Sequence, residues 1–265
     1  MTCETLSDRQ KQIKDGLLDL MGADFFVRCH GEVFSSGLSA LQKGNLYIVG
    51  LNPGAGNRYP TIRNHVEDWN LADFSAFTDQ CWSTECWSVD CYAKQSSLKC
   101  NRRDCQRGKD KIQAQHRRVV VRTLEVLGQS ESDLSSVFAT NAIFARSMKG
   151  DTFRRDVGYS LAAAWQYCST VHRYLLNIVQ PTVIVCFGYG KSNTSYSMMK
   201  SLCTNLSDQY SYSQDGWKID NFRWVTGKCH LTDWIGEVLI VGVRHPSYGS
   251  TAVEVPRYAE LIQGT

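Results

Sequence analysis

"LYIVGLNPGAGNRYP", residues 46–60, begins as a short apolar run and ends as a loop with two prolines and two glycines. Leu46 to Gly50 reads as a buried strand, and Asn52 stands just past its C-terminal end. Similar runs recur along the chain: SVFATN at 136–141, TVIVCF at 182–187 and EVLIVGV at 237–243. None alternates apolar with polar residues, as a half-exposed strand would. Continuous apolar strands are the mark of a parallel sheet covered on both faces.

The intervening segments read as helices. Residues 7–21 start on Ser and Asp and show helical apolar spacing. Residues 61–69 and 71–77 read as short helices. Residues 112–127 form a longer one that stops at Gly128. A single long helix is expected over 156–179, another over 191–202 and a terminal one over 255–262, whereas residues 204–223 read as polar and irregular. The expected fold class is α/β, a three-layer α/β/α sandwich around a central parallel four-stranded sheet.

Composition sets limits. The chain has 265 residues, which suits a single domain over 1–265 carrying an insertion. No apolar run is long enough to span a bilayer. The N-terminal MTCETLSDRQKQIKDG has no apolar signal stretch, so the expectation is a cytoplasmic monomer without a membrane partner. The net charge of +3 names no partner by itself, but residues 99–118, KCNRRDCQRGKDKIQAQHRR, concentrate cations that include Arg102 and Arg103. Such a cluster is either a solvated basic surface or a patch that contacts nucleic-acid phosphates.

The 11 cysteines are an odd number, which argues against a disulfide scaffold. Cys29, Cys168, Cys186, Cys203 and Cys229 sit in or beside apolar segments and read as packing residues. Cys81, Cys86, Cys91, Cys100 and Cys105 fall together in the basic insertion at about 81–110. Their spacing lacks the C-x2-C clips of zinc and iron–sulfur sites. The reading is a loop of reduced thiols, with a structural zinc on these five as the alternative.

In α/β sheets, sites form outside the carboxyl ends of the strands. Three ends carry polar groups here: Gly50-Leu51-Asn52-Pro53-Gly54, Thr140-Asn141-Ala142 and Arg244-His245-Pro246-Ser247-Tyr248. One asparagine after a strand is an ordinary turn former. Two asparagines and a histidine at one edge of one sheet are a candidate site. The CFGYGKS stretch at 186–192 lacks the glycine spacing of a phosphate loop.

GLNPGAG (50–56) together with HPSYGS (245–250) resembles the two signature motifs of the uracil-DNA glycosylase superfamily, in the right order. ATNAIFARS (139–147) is similar to that superfamily's middle motif, a strand ending in Asn. GLNPG is closer to the mismatch-specific and single-strand-selective branches than to the branch that carries Asp-Pro-Tyr.

The resemblance implies a monofunctional DNA glycosylase that flips out a pyrimidine and hydrolyses its N-glycosidic bond, leaving an abasic site. Asn52 would hold the attacking water, and His245 would donate a hydrogen bond to O2 of the departing base. Asn141 would read the pyrimidine edge with its paired donor and acceptor. Leu51, Gly54, Tyr59 and Phe74 are expected around the base, with Trp69 and Phe77 as further stacking candidates. Pro53, Ser247, Tyr248, Gly249 and Ser250 are expected against DNA, beside Arg102 and Arg103. Gly54 replaces a tyrosine that blocks the C5 side of the base in the other branch, which implies tolerance of a 5-substituted pyrimidine. The base is then uracil in repair, or a modified cytosine such as glucosylated hydroxymethylcytosine of phage DNA in antiviral defence. No cofactor is required. The competing reading is a catalytically inactive nucleic-acid-binding module of the same fold. An unrelated α/β hydrolase is disfavoured, since no G-x-S-x-G elbow is present.

Overall fold

The computed structural model describes residues 7–44, 46–53, 60–69, 111–147, 152–189, 192–212, 223–231, 236–243 and 245. Helix α1 spans Asp8–Leu20 and opens on a capping box. The Ser7 hydroxyl accepts from the Gln10 amide, and the Gln10 side chain accepts from the Ser7 amide, so two otherwise orphaned donors are satisfied. A short α2 (Asp24–Arg28) follows, then β1 (Tyr47–Gly50) and α3 (Ile62–Glu67), which Thr61 caps. Helix α4 is Lys111–Val126; the chain leaves it through Gly128, at φ +74. Then come β2 (Phe138–Asn141), α5 (Phe153–Val157), α6 (Leu161–Val179), β3 (Val183–Phe187) and α7 (Ser195–Lys200). Strands β4 (Cys203–Tyr212), β5 (Arg223–Leu231) and β6 (Glu237–Val243) complete the described elements.

The strands form one six-stranded sheet in the order β2-β1-β3-β6-β5-β4. β2, β1, β3 and β6 are mutually parallel, while β5 and β4 join antiparallel beyond β6. The chain is therefore α/β, but the expected four-stranded parallel sheet is corrected to a mixed sheet of six. The physical reason is that β4 and β5 pair as a long hairpin, from Cys203 opposite Leu231 to Tyr212 opposite Arg223. Residues 204–212, expected to be irregular, are strand.

The parallel strands send alternate side chains into two separate cores. Tyr47, Val49, Phe138, Ile184, Cys186, Val238 and Ile240 pack with α1, α2, α3, α6 and α7. Ile48, Ala139, Val183, Val185, Phe187, Leu239, Val241 and Val243 pack with Val119, Val120 and Leu124 of α4 and with Leu134. Burial of each large aliphatic side chain contributes roughly 1.5–3 kcal/mol, so both sides of these strands need cover. That is why their sequences are apolar throughout rather than alternating.

Two further expectations are corrected. The helix read over 156–179 is two helices. Gly158 adopts φ +83, a left-handed cap that ends α5, and the Ser160 hydroxyl accepts from the Ala163 amide to start α6. Cys203, read as a packing residue, is disulfide-bonded. Cys29, Cys168 and Cys186 are free and buried, and burial raises all three thiols, Cys29 to about 11. None of these three is a thiolate at neutral pH. The helices read at 71–77 and 255–262 and the insertion at 81–110 lie outside the described residues. Among the described residues, no helix is long and apolar enough to cross a membrane.

Candidate functional site

The register places three of the expected polar residues along one edge. Gly50 pairs with Asn141, Val49 with Cys186, and Cys186 with Gly242. Asn52 is three residues past Val49 and His245 three past Gly242, so both leave the sheet at the same level. β3 alone stands between their strands. Two interstrand spacings are about 10 Å, which is the width of the row from the end of β1 to the end of β6. Asn141 ends β2 on the other side of β1.

Asn52 is held in one orientation. Its Nδ2 donates to the Pro53 carbonyl at 3.0 Å, to the Ser147 carbonyl at 3.3 Å and to Ser147 Oγ at 3.1 Å. Carbonyls only accept, so the amide nitrogen must face them. Oδ1 therefore points the other way, and it has no hydrogen-bond partner among the described residues. The Ser147 amide in turn donates to the Pro53 carbonyl at 3.3 Å, which ties the end of β1 to the loop after β2.

Asn141 lies across Gly50. A Cβ on Gly50 would stand 2.4 Å from Asn141 Oδ1, so glycine is the residue that leaves room for this amide. Behind it, His172 of α6 is fully buried. Its Nε2 is 3.1 Å from the Asn141 carbonyl and 3.2 Å from that of Ala142, and its Nδ1 is 3.0 Å from Tyr47 Oη. Burial lowers the imidazole pKa to about 4, against a smaller opposing effect of the two carbonyls, so the ring is neutral at pH 7.

His245 is half-buried, and loss of solvation holds its pKa below the ordinary histidine value. It too is neutral at pH 7, and a neutral imidazole can still donate one hydrogen bond.

A stretch near the N-terminus braces the β2 side. Residues 30–36 run antiparallel to β2 and its continuation, with bridges from Gly31 to Ala145 and from Phe34 to Thr140. Glu32 donates its amide to the Phe144 carbonyl at 2.9 Å, Arg146 to that of His30 at 2.9 Å, and Gly31 to that of Pro60 at 3.1 Å. Gly31 is required by this close approach, since a Cβ there would meet the Phe144 carbonyl oxygen at 2.0 Å. The Arg146 guanidinium and Glu32 carboxylate form a buried ion pair, and Ser35 Oγ donates to Glu32 at 2.8 Å. His65 of α3 is buried nearby, neither ring nitrogen has a hydrogen-bond partner among the described residues, and burial lowers its pKa to about 4.

Leu51, expected around the base, is half-buried against the core, and Pro53, expected against DNA, is buried. Trp69 is only 7% exposed, with its ring 4.8 Å from His65 and 5.8 Å from Phe34, so it belongs to the core. Gly54, Tyr59, Phe74, Phe77, Arg102, Arg103, Ser247, Tyr248, Gly249 and Ser250 lie outside the described residues. The same holds for Cys81, Cys86, Cys91, Cys100 and Cys105. Ser147, Glu32, Tyr47 and His172 were not singled out in the sequence. The one available signal was His172 itself, a polar residue on the apolar face of α6 between Cys168 and Leu176.

In comparison with known proteins, no family model and no curated protein matches the chain.

Proposed function

We propose that the chain is a monofunctional DNA glycosylase of the uracil-DNA glycosylase type, with that superfamily's three-layer α/β/α core extended by the β4–β5 hairpin. The observation that carries this reading is Asn52. Its amide N–H groups are spent on Ser147 and Pro53, and its Oδ1 faces away from them at an edge it shares with Asn141 and His245.

An amide oxygen is too weak a base to take a proton from water, but it can accept a hydrogen bond and hold the water against C1′ of an extruded nucleotide. As the C1′–N1 bond breaks, the sugar becomes oxocarbenium-like and the pyrimidine leaves with the electron pair. Water oxygen then bonds to C1′, and its proton goes to the departing base or to solvent. His245, as a neutral donor, would stabilise the charge developing on O2; such a donor is worth a factor of about 10²–10³. Asn141 would pair with the pyrimidine edge. No carboxylate pair or cofactor is needed. The substrate class is uracil or a 5-substituted pyrimidine in DNA, handled by a cytoplasmic monomer; modified cytosines of phage DNA are included because the resemblance aligns Gly54 with a tyrosine that blocks the C5 side in another branch.

The test is a panel of oligonucleotides, each holding one modified pyrimidine, treated with alkali after incubation. At least one member is expected to yield an alkali-labile site with wild-type protein. Asn52→Ala and His245→Ala should each lower the rate by about 10²-fold or more while their melting curves stay close to wild type. DNA binding without an alkali-labile site across the panel would leave a non-catalytic binding module in its place.

A further inference from the structure

The strand end that carries Asn141 is gripped from both sides. On the side of β1, the Ala142 amide donates to the Gly50 carbonyl and the Ile143 amide to the Leu51 carbonyl, both at 2.8 Å. On the other side, the carbonyls of Asn141 and Ala142 both converge on His172 Nε2. Those oxygens cannot donate, so Nε2 must hold the ring proton and Nδ1 the lone pair. Tyr47 Oη, 3.0 Å from Nδ1, then has to be the donor of that bond. The chain Tyr47 O–H to His172 Nδ1, His172 Nε2–H to the Asn141 and Ala142 carbonyls thus has one direction only.

The surroundings enforce it. Tyr47 and His172 are both fully buried, and the imidazole is enclosed by the rings of Phe144 at 5.0 Å and Trp165 at 5.5 Å. In that apolar shell a reversed tautomer would leave two carbonyls facing a lone pair, and unpaired buried polar groups are costly. With the backbone of 141–143 fixed on both sides, the Cα–Cβ direction of Asn141 is set, and the bare surface of Gly50 leaves room for the amide to lie across it.

We infer that Tyr47, His172 and Gly50 form a clamp that positions the Asn141 amide for base discrimination. This rests on the glycosylase reading above. His172 and Gly50 act through Asn141 and are positioning residues, not catalytic ones. A leucine in place of His172 would fill the same volume but leave the buried Tyr47 hydroxyl and the two carbonyls without this partner, and an alanine at Gly50 would displace the Asn141 amide. The two residues present are those that aim the amide.

Three measurements on the full chain decide it. Ring-nitrogen NMR at pH 7 should show His172 protonated at Nε2 and bare at Nδ1; the opposite tautomer overturns the clamp. Gly50→Ala displaces only the tip of a side chain, so it should melt close to wild type, yet its preference for uracil over cytosine in DNA should fall about tenfold or more, the scale of one bidentate base contact. His172→Leu should lose the preference in the same way. His172→Gln, whose amide N–H reaches toward the same carbonyls, should keep it to within roughly threefold. An unchanged preference in both Gly50→Ala and His172→Leu overturns the proposal. Wild-type protein that releases no pyrimidine removes the glycosylase reading instead. The clamp is then judged by the Asn141 side-chain amide resonances. They should move in Gly50→Ala and His172→Leu and stay in place in His172→Gln; resonances that stay fixed in all three overturn it.

Discussion

The four parallel strands and the hairpin beyond them belong to one sheet, yet they are different kinds of structure. β2, β1, β3 and β6 are covered on both faces, and Asn52, Asn141 and His245 follow from the ends of three of them. Buried polar groups crowd behind the β2–β1 end: the Glu32–Arg146 ion pair, His65, and His172 with Tyr47. The β4–β5 pair is held by its antiparallel ladder, by the pairing of β5 with β6, by buried Leu231 and by the disulfide at Cys203, and it carries none of the candidate residues. The difference teaches where this molecule spends stability on arrangement. Charges and imidazoles taken out of water are poor stabilisers, and here they cluster behind the strand ends that carry Asn52 and Asn141.

Acid should separate the two regions most. His65 and His172 are held near pKa 4 in the fold and return to about 6.5 when unfolded. Between those values the unfolded chain binds protons that the folded chain does not, so stability falls as pH drops through the window from 6.5 to 4. Each histidine costs about 3 kcal/mol by pH 4. Urea unfolding across that range should show the loss, and His65→Phe should remove about half of it. Hydrogen exchange should report the opening first in β1 and β2. Earlier opening of β4 and β5 would break the comparison.

The ion pair comes next. Arg146→Met leaves the Glu32 carboxylate buried without its guanidinium, at a cost of about 3–5 kcal/mol. Glu32→Leu combined with Arg146→Met should recover most of that, because the remaining apolar pair has no charge to desolvate. A double variant no more stable than Arg146→Met alone would mean that the pair holds the loop together in its own right.

The same contrast decides what could be read from the sequence. The parallel strands were legible because burial on both faces leaves no polar positions, and a run such as TVIVCF has few other readings. The hairpin was not, because TNLSDQYSY and RWVTGKCHL are mixed in polarity, and β-propensity depends on the neighbours a strand finds. The split between α5 and α6 was written in Gly158 and Ser160, a stop followed by a cap, but the apolar spacing on either side masks it. Asn52, Asn141 and His245 were visible because strand ends are where sites form. Their supports were not. Tyr47 meets His172 across 125 positions, and Arg146 meets Glu32 across 114. No local pattern marks either pair.

The smallest effect tests the other half of the contrast. Thr204 stands opposite His230 in the β4–β5 ladder, and both are exposed. Its hydroxyl donates to the His230 carbonyl at 3.3 Å, a bond that water can replace when the side chain is cut back. Thr204→Ala should therefore shift stability by less than about 0.5 kcal/mol, as surface changes usually do. Ile240→Ala supplies the scale: β6 lies in the parallel set, Ile240 is fully buried, and its truncation should cost about 2–5 kcal/mol. Urea midpoints for the two variants measure the contrast directly. A loss of 2 kcal/mol or more from Thr204→Ala would place the hairpin among the parts that hold the molecule together, since removing one exposed hydroxyl could cost that much only if the ladder it touches were as finely fitted as the core.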